Sequence, residues 1–340
     1  MPSAVLPPEL QQIARDAART GRRPAPPRTA TIRGLGHYLP TEIVPNGHIA
    51  ERIGVDDHWI VKRTGIQSRR RAAANEGTND MAVFAARRAL QDAGTDARDL
   101  DFVIVATMSP DEITPNAAPR VAHALGATKA AAFDIGAACT GFLAGLAQAA
   151  ALIEVGRAER ILLIGAEKLT RITDFDDKKT GMLFGDGAGA VVLGPSDSDA
   201  GVGPIDLLAD GGLGDTIVAT PDDPFIRMDG ISTFKIAVKR LSESTIFATS
   251  AAGIELSDID LFVYHQANSR IIKAVGERLE LDAAKVADYI AQLGNTSAAS
   301  IPLTLSLSRE DGRLRPGHKV LVAAIGAGFT WGAGVMEWTG

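Results

Sequence analysis

The amino-acid sequence contains an internal repeat, in which segments of the second half resemble segments of the first at one constant offset. The segment GTDARDLDFVIV, residues 94–105, resembles GIELSDIDLFVY, residues 253–264. ERILLI, residues 159–164, resembles HKVLVA, residues 318–323, and this pair has the same offset as the first. Two independent matches at one offset indicate a duplicated unit. The chain is therefore expected to fold as two similar halves whose equivalent loops meet at the centre of the molecule.

Apolar segments of strand length alternate with amphipathic helical segments through both copies. Residues 102–106 and 261–264 are predicted strands, and residues 78–92 and 232–251 are predicted helices. Alternation of this kind is typical of layered α/β proteins. The sequence thus predicts the α/β fold class.

The chain of 340 residues is long enough to bury a large core in two halves. We expect the first half over residues 29–198 and the second over residues 199–340. Residues 1–28 precede the repeat and contain the segment GRRPAPPR, whose prolines cannot continue a helix. They lack the apolar core of a secretory signal peptide, so we expect a terminal extension without a catalytic role.

Composition excludes several classes of protein. A net charge of -6 argues against a nucleic-acid-binding protein, which would normally have a strongly basic face. No apolar run approaches the roughly 20 residues needed to span a membrane. The single cysteine excludes an intramolecular disulfide framework and fits a reducing cytoplasm. The histidines other than His265 lack metal-ligand spacing, and we expect neither a metal nor a redox cofactor.

That cysteine, Cys139, lies between a short apolar segment and a predicted helix from Phe142. A thiol in the first turn of a helix lies among free backbone N–H groups, at the positive end of the helix dipole. We therefore expect a lowered thiol pKa and a nucleophilic thiolate. A free cysteine is more often a buried and inert small side chain, so Cys139 alone does not decide between the two.

Two polar residues occupy settings related to that of Cys139. His265 follows directly on a predicted strand, at the end where loops carry function in parallel sheets. The repeat places Ala298 opposite Cys139, so the loop with Asn295 is equivalent to the cysteine loop. Taken singly, His265 could be a hydrogen-bonded core histidine and Asn295 a turn residue. Three such residues on matched loops favour a catalytic site.

Several motifs around these residues resemble the β-ketoacyl-acyl carrier protein synthase III family of the thiolase fold. They are ACTGF around Cys139, HQAN at 265–268, GNTSAASIP at 294–302, FGDGAGA at 184–190, GAGFTWG at 326–332 and DHWIVKRTGI at 57–66. The resemblance runs from about residue 29 to the C-terminus. It implies a thiolase-like fold in which duplicated α/β halves form five αβαβα layers.

The resemblance also implies a decarboxylative Claisen condensation that needs no cofactor beyond the CoA thioester substrate. Cys139 would attack an acyl-CoA, and the backbone N–H groups of Cys139 and Ala327 would hold the oxyanion. A malonyl thioester, carried by acyl carrier protein, would lose CO2 to give an enolate. The His265 Nε2 and the Asn295 amide would donate to that enolate, which attacks the acyl-cysteine. The product starts fatty acid or polyketide synthesis.

The resemblance assigns further residues to substrate binding. Trp59 and Arg63 stand where the family binds the adenine nucleotide of CoA, and Asn268 where it contacts the pantetheine arm. Thr114 and Ile325 stand near positions where the family often has bulky aromatics around the acyl pocket. These smaller side chains predict a primer longer or more branched than acetyl.

A basic patch and a dimer complete the expected partners. Lys235, Arg270 and Lys273 form a candidate docking patch for an acidic acyl carrier protein, with Arg270 and Lys273 on one helical face. Scattered basic residues are more often simply solvated. The family implies a homodimer, and the edge strand of a duplicated sheet leaves room for such pairing.

Two alternative functions use the same residues. The enzyme could transfer an acyl group to an alcohol or amine without forming a carbon–carbon bond. It could also be a non-catalytic partner of another synthase. The presence of both His265 and Asn295 argues against simple transfer, which has less need of an enolate site. The complete set with Cys139 argues against a non-catalytic role.

Overall fold

The computed structural model describes residues 28–340 except Asp197 and Asp199, so the predicted extension lies outside the described residues apart from Arg28. The strands are β1 (Ala30–Tyr38), β2 (Glu42–Pro45), β3 (Ser68–Arg71), β4 (Phe102–Ala106), β5 (Ala131–Ile135), β6 (Ile161–Lys168), β7 (Asp186–Pro195), β8 (Val202–Ala209), β9 (Ile217–Val218), β10 (Arg227–Met228), β11 (Leu261–Tyr264), β12 (Lys319–Gly326) and β13 (Thr330–Glu337). The helices are α1 (Asn46–Arg52), α2 (Asp57–Thr64), α3 (Thr78–Asp92), α4 (Ala117–Leu125), α5 (Gly141–Glu154), α6 (Gly230–Ala251), α7 (Ser269–Arg278), α8 (Ile290–Leu293) and α9 (Ser300–Glu310).

Most of the strands form two sheets of the same topology. The first has the order β1-β7-β6-β4-β5 and the second the order β11-β12-β13-β8. In both sheets one pair of neighbouring strands, β4 with β6 and β11 with β12, runs parallel, and the strand after it is antiparallel. The place of β5 is taken in the second sheet by an isolated bridge between Phe262 and Val286. The predicted duplication is therefore confirmed.

The offset of the sequence repeat recurs in the bounds of these elements. β4 and β11 begin at equivalent positions of the repeat, as do α5 and α9, and α3 and α6 end at equivalent positions. The predicted helix at 78–92 and strands at 102–106 and 261–264 have the observed bounds. The helix predicted at 232–251 begins two residues earlier, because Asp229 caps it by accepting from the backbone N–H groups of Ile231 and Ser232.

The two sheets and the helices around them stack in five layers. α3 and α4 pack on the outer face of the first sheet, and α6 and α7 on the outer face of the second. α5 and α9 lie between the sheets, where Phe142, Leu146 and Leu305 share one core with Ile104 and Val322. The expected αβαβα arrangement is confirmed.

Each central helix begins with the same tight turn. The turns are Ala138–Thr140 before α5 and Ser297–Ala299 before α9. Ala138 and Ser297 both have a φ of 46°, in the left-handed region that side chains other than glycine rarely adopt. The duplicated unit therefore preserves a strained backbone conformation as well as a topology.

A glycine from the opposite half packs against each of these turns. A Cβ atom at Gly326 of β12 would lie 2.8 Å from the backbone nitrogen of Cys139. A Cβ atom at Gly165 of β6 would collide with the carbonyl oxygen of Ala298. Both positions require glycine because backbone approaches backbone there. The two halves thus interlock at the point where the central helices start.

Candidate active site

A cavity of about 1010 Å³ opens beside the Cys139 turn. Cys139, His265 and Asn295 all line it, together with Ala327. The three side chains arrive from the α5 turn, from the end of β11 and from the loop before α9. The structure therefore brings together the three side chains that the sequence analysis grouped.

Cys139 is half-buried, and its environment disfavours the thiolate. Burial raises the pKa of the thiol to about 12, and the negative charge of Glu167 adds to the increase. A hydrogen bond with the Ser297 hydroxyl acts in the opposite direction. The predicted lowering of the pKa is therefore wrong for the unliganded protein, because removal of the thiolate from water outweighs the favourable helix end.

His265 is buried and held in one orientation by Ser300. Its Nδ1 lies 2.6 Å from the Ser300 Oγ, which also accepts a hydrogen bond of 3.4 Å from the Gln266 backbone N–H. The Ser300 hydroxyl can donate to Nδ1, and we assign the ring proton to Nε2 on the basis of that pairing. Burial lowers the pKa of His265 to about 3, so the ring is a neutral donor at physiological pH.

Asn295 has its amide orientation set by the turn that follows it. Its Oδ1 accepts a hydrogen bond of 2.8 Å from the Ser297 backbone N–H. That bond identifies the oxygen and leaves Nδ2 as the free donor of the side chain. The backbone of Asn295 is paired on both sides, donating to Leu183 at 2.8 Å and accepting from Gly185 at 3.0 Å. The donor is thus fixed before any substrate binds.

The predicted oxyanion groups are also adjacent. Gly326 lies so close to the Cys139 backbone nitrogen that there is no room for a Cβ atom between them. Ala327 is the next residue and lines the cavity wall. Among the described residues, the Ala327 N–H donates to no backbone carbonyl outside the helices and strands. Two backbone N–H groups beside a nucleophile are what stabilisation of a tetrahedral oxyanion requires.

The mouth of the cavity contains the predicted nucleotide-binding residues and one that the sequence analysis missed. The Arg63 guanidinium carbon lies 3.9 Å from the centroid of the Trp59 ring, and Lys178 Nζ lies 5.1 Å from it. Lys178 comes from the charged run DDKK at 176–179, which has no periodicity that would indicate a site. Two cations therefore lie close to the indole ring, a combination of charge and aromatic surface that suits a phosphorylated planar base.

Asn268 lines the same mouth as the cap of α7. Its Oδ1 accepts from the Arg270 backbone N–H at 2.9 Å, and its Nδ2 donates to the Arg63 carbonyl at 3.1 Å. The side chain therefore links α7 to α2. Its predicted contact with a pantetheine arm remains a prediction.

Removal of the indole tests the predicted contact between Trp59 and a CoA nucleotide. We expect Trp59→Ala to raise KM for an acyl-CoA by roughly tenfold, the value of one stacked cation–π contact, with kcat little changed. Steady-state assays with acyl-CoA and with the corresponding acyl-N-acetylcysteamine thioester measure this. The truncated thioester lacks the nucleotide and serves as the control. An equal loss with both donors would contradict the assignment.

The remaining predicted residues divide between the cavity and the surface. Ile325 is buried in the cavity wall, whereas Thr114 is exposed and lies outside the cavity of a single chain. Lys235 and Arg270 are exposed at the mouth. Lys273 does not line the mouth and pairs with Glu277 at 3.8 Å. A role for Thr114 in the acyl pocket therefore requires a second chain and remains a prediction.

The described residues contain no group of three or more His, Cys, Asp or Glu side chains placed to hold a metal ion. No helix among them is both long enough and apolar enough to cross a membrane.

Comparison with known proteins identifies the family. Residues 133–211 match the family model for 3-oxoacyl-[acyl-carrier-protein] synthase III, and residues 249–338 match the model for its C-terminal part. A β-ketoacyl-[acyl-carrier-protein] synthase III of Geobacillus kaustophilus is 44% identical over 309 residues, covering 91% of this chain and 99% of that protein.

Solved structures agree with this assignment. The 3-oxoacyl-[acyl-carrier-protein] synthase III of Aquifex aeolicus matches with a TM-score of 0.89 at 39% identity, covering 91% of this chain and 100% of that one. The priming β-ketosynthase of a polyketide biosynthetic pathway matches with a TM-score of 0.90 at 35% identity, covering 94% of this chain and 99% of that one. The chain described here belongs to the 3-oxoacyl-[acyl-carrier-protein] synthase III family.

Proposed function

We propose that this protein is an acyltransferase that condenses an acyl-CoA primer with malonyl-acyl carrier protein through an acyl-Cys139 intermediate. The observation that carries the proposal is one cavity lined by a thiol, a neutral histidine donor and an amide donor of fixed orientation. The names of its relatives refer to the same reaction class. The product would start fatty acid synthesis or prime a polyketide.

The first half-reaction transfers the acyl group to the enzyme. The Cys139 sulfur attacks the thioester carbon, and the backbone N–H groups of Cys139 and Ala327 donate to the developing oxyanion. Collapse of this intermediate expels CoA and leaves the acyl group on sulfur. The nucleophile must remain reduced, so we place the reaction in the cytoplasm.

The second half-reaction forms the carbon–carbon bond. Loss of CO2 from the malonyl thioester puts negative charge on the thioester oxygen, and the His265 Nε2–H and Asn295 Nδ2–H donate to it. A neutral histidine suits this role because it can donate without protonating the enolate carbon. The enolate then attacks the acyl-cysteine, and the Cys139 thiolate leaves.

The walls of the cavity favour a primer larger than acetyl. Ile325 is buried in the cavity wall and stands where the family often has a larger aromatic. We propose a longer or branched primer. A profile of acylation rates over acyl-CoA chain lengths that peaks at acetyl would contradict this.

Lys235 and Arg270 at the mouth are proposed to dock the acyl carrier protein. We expect Arg270→Glu to raise KM for malonyl-acyl carrier protein roughly tenfold at low ionic strength, with the effect shrinking as salt is added. Malonyl-N-acetylcysteamine, which has no carrier, should be used equally well by both proteins. Arg157→Glu, an equal charge change beyond the far end of α5, is the matched control. A salt-independent effect, or one shared by Arg157→Glu, would exclude docking.

We also propose that two chains form the functional enzyme. β5 is an edge strand with half-buried Ala132 and Phe133, and the nearby Ile113 is completely exposed. Such an edge can pair with another copy of the same strand. Thr114, beside Ile113, would then lie close to the cavity of the partner.

Intact-protein mass spectrometry tests the proposed function. Incubation with a panel of acyl-CoAs should give an adduct of one acyl mass, which is absent in Cys139→Ala. Addition of malonyl-acyl carrier protein should discharge the adduct with release of CO2. An adduct that persists with malonyl-acyl carrier protein and is discharged by an alcohol or amine would instead establish acyl transfer without condensation.

A further inference from the structure

One arginine at the mouth of the cavity contacts two separate segments of the chain. Arg227 of β10 lines the cavity, and its side chain is 40% exposed. Its Nε and Nη2 donate to the two carboxylate oxygens of Asp223 at 2.8 and 3.2 Å, within the β9–β10 hairpin. Its Nη1 lies 2.8 Å from Asp174 and 3.7 Å from Asp177, both in the loop of residues 173–181. The guanidinium therefore joins the hairpin to that loop.

This network is stronger than an ordinary ion pair at a protein surface. An isolated exposed pair contributes little, because water and salt screen it and two long side chains must be ordered. Here the guanidinium holds Asp223 with two hydrogen bonds, and the side chains of Asp174 and Asp177 are only 27% and 17% exposed. Without Arg227, carboxylates from the two segments would repel one another. The network is therefore suited to hold the two segments together.

Asp177 fixes the backbone that carries Lys178. Its carboxylate accepts from the Lys179 backbone N–H at 2.9 Å and from the Thr180 hydroxyl at 2.7 Å. These bonds fold the chain tightly around Lys178, whose Nζ lies 5.1 Å from the centroid of the Trp59 ring. A group that sets the position of Asp177 therefore also sets the position of Lys178.

The other side of the loop is anchored by a second arginine. Asp176 pairs with Arg52 of α1 through two hydrogen bonds of 2.8 Å. On the side of the hairpin, the Ile226 backbone N–H also donates to the Ile172 carbonyl at 3.0 Å. The loop thus lies between α1 and the hairpin, and arginine–carboxylate pairs hold it on both sides.

We propose that Arg227 is a positioning residue that holds Lys178 beside Trp59 and thereby increases the affinity for the nucleotide of CoA. The proposal rests on the proposed function, in which that nucleotide belongs to the acyl donor. Arg227 acts through Asp174 and Asp177 rather than by contact with the substrate. Its loss would let the hairpin and the loop separate, and the cation would move away from the indole.

A direct electrostatic effect would be a different explanation for a change in affinity. Arg227 places one positive charge near an anionic ligand, and each carboxylate places one negative charge there. A variant that removes a carboxylate separates the two explanations. Direct attraction predicts tighter CoA binding when Asp174 loses its charge, because a repulsive group disappears. Positioning predicts weaker binding, because Arg227 then loses its contact with the loop.

Asp174→Asn is therefore the decisive variant. Its amide can keep the oxygen that accepts from the Asp176 backbone N–H at 3.1 Å, while an NH2 group, which cannot accept, replaces the oxygen that faces Arg227. We expect the dissociation constant for CoA, measured by isothermal titration calorimetry at low ionic strength, to rise about fivefold. The acylation rate at saturating acyl-CoA should stay at the wild-type value. Tighter or unchanged binding of CoA would overturn the proposal.

Asp96→Asn is the matched control. Asp96 also accepts from the backbone N–H two residues further along, at 2.9 Å, and it also pairs with an arginine, Arg98. It lies in the turn before β4 and does not line the cavity. The same substitution there should leave the dissociation constant for CoA unchanged. A fivefold rise in this variant as well would show a general effect of charge and overturn the proposal.

A double variant shows whether Arg227 acts through the lysine. Arg227→Gln and Lys178→Gln should each weaken CoA binding. If Arg227 positions Lys178, the double variant should bind CoA no more weakly than Lys178→Gln alone, because the two changes remove the same contact. Losses that multiply would show independent action and would overturn the proposal.

Iodide quenching of tryptophan fluorescence tests the arrangement without any substrate. Trp331 and Trp338 are buried, so Trp59 is the indole that a dissolved ion reaches. Departure of Lys178 from the ring should lower the iodide quenching constant about twofold in Asp174→Asn, because the cation no longer attracts the anion. Quenching by neutral acrylamide is the control. An iodide constant that stays the same or rises would overturn the proposal.

These outcomes are separate from that of the proposed function. An acyl adduct on wild-type protein, with unchanged CoA affinity and iodide quenching in the variant at position 174, would reject the positioning role alone. Absence of any acyl adduct on wild-type protein would reject the proposed function.

Discussion

Asn295→Asp is expected to abolish malonyl decarboxylation while acyl-enzyme formation continues. The aspartate keeps the oxygen that accepts from the Ser297 N–H at 2.8 Å, so the turn beside Cys139 should be retained. It removes the Nδ2 donor and places a carboxylate where the enolate charge develops. Loss of one such donor costs about 100- to 1000-fold in rate, and the added charge acts in the same direction.

Two measurements on the same sample separate the half-reactions. Acylation is followed by intact mass, and decarboxylation by release of labelled CO2 from malonyl-acyl carrier protein. The acylation rate is the internal control for folding of the variant. Normal CO2 release from a variant that acylates normally would exclude Asn295 as the enolate donor.

Gly326→Ala is expected to inactivate Cys139, although Gly326 lies on a different strand and has no side chain that could react. The new Cβ would lie 2.8 Å from the backbone nitrogen of Cys139 and 3.1 Å from that of Thr140, and backbone cannot move aside as a flexible side chain would. Displacement of the nucleophile by a fraction of an ångström should slow acylation by about 100-fold. Overpacking at this site should also cost about 1–3 kcal/mol of the free energy of unfolding.

Gly276→Ala is the matched control. Gly276 lies in α7, and no heavy atom lies within 4 Å of a Cβ placed there. The same substitution should raise the free energy of unfolding by about 0.5–1 kcal/mol and leave acylation unchanged. Urea unfolding and the acylation time course measure both variants. Full activity in Gly326→Ala would show that the two halves do not set the position of Cys139.

The sequence was sufficient to predict the fold because local pattern and repeat agreed. Strands such as Leu261–Tyr264 are short apolar runs between polar residues, and the constant offset of the repeat related one half to the other. The same offset placed the Asn295 loop opposite Cys139, which the structure brings to one cavity. These inferences depend on periodicity and order, which a single sequence contains.

The pKa of Cys139 could not be predicted in the same way. The sequence shows a helix start but not the burial of the thiol or the nearby Glu167 charge, and these determine the direction of the shift. The sequence did mark Glu167 as unusual. It is the one acidic residue at the end of the apolar segment ILLIGAE, and the repeat makes it equivalent to Gly326. The predicted role of Thr114 in the acyl pocket depends on a second chain, and no sequence pattern shows where that chain lies.

The close packing of Gly326 and Gly165 against the turns of the opposite half affects how the protein should lose activity on heating. Since Gly326 supports the Cys139 turn and Gly165 supports the Ala298 turn, neither half can loosen without releasing the other. The site therefore lies where the two halves contact each other rather than within one half alone. Thermal inactivation and loss of near-UV circular dichroism should therefore share one midpoint, as in a single cooperative transition.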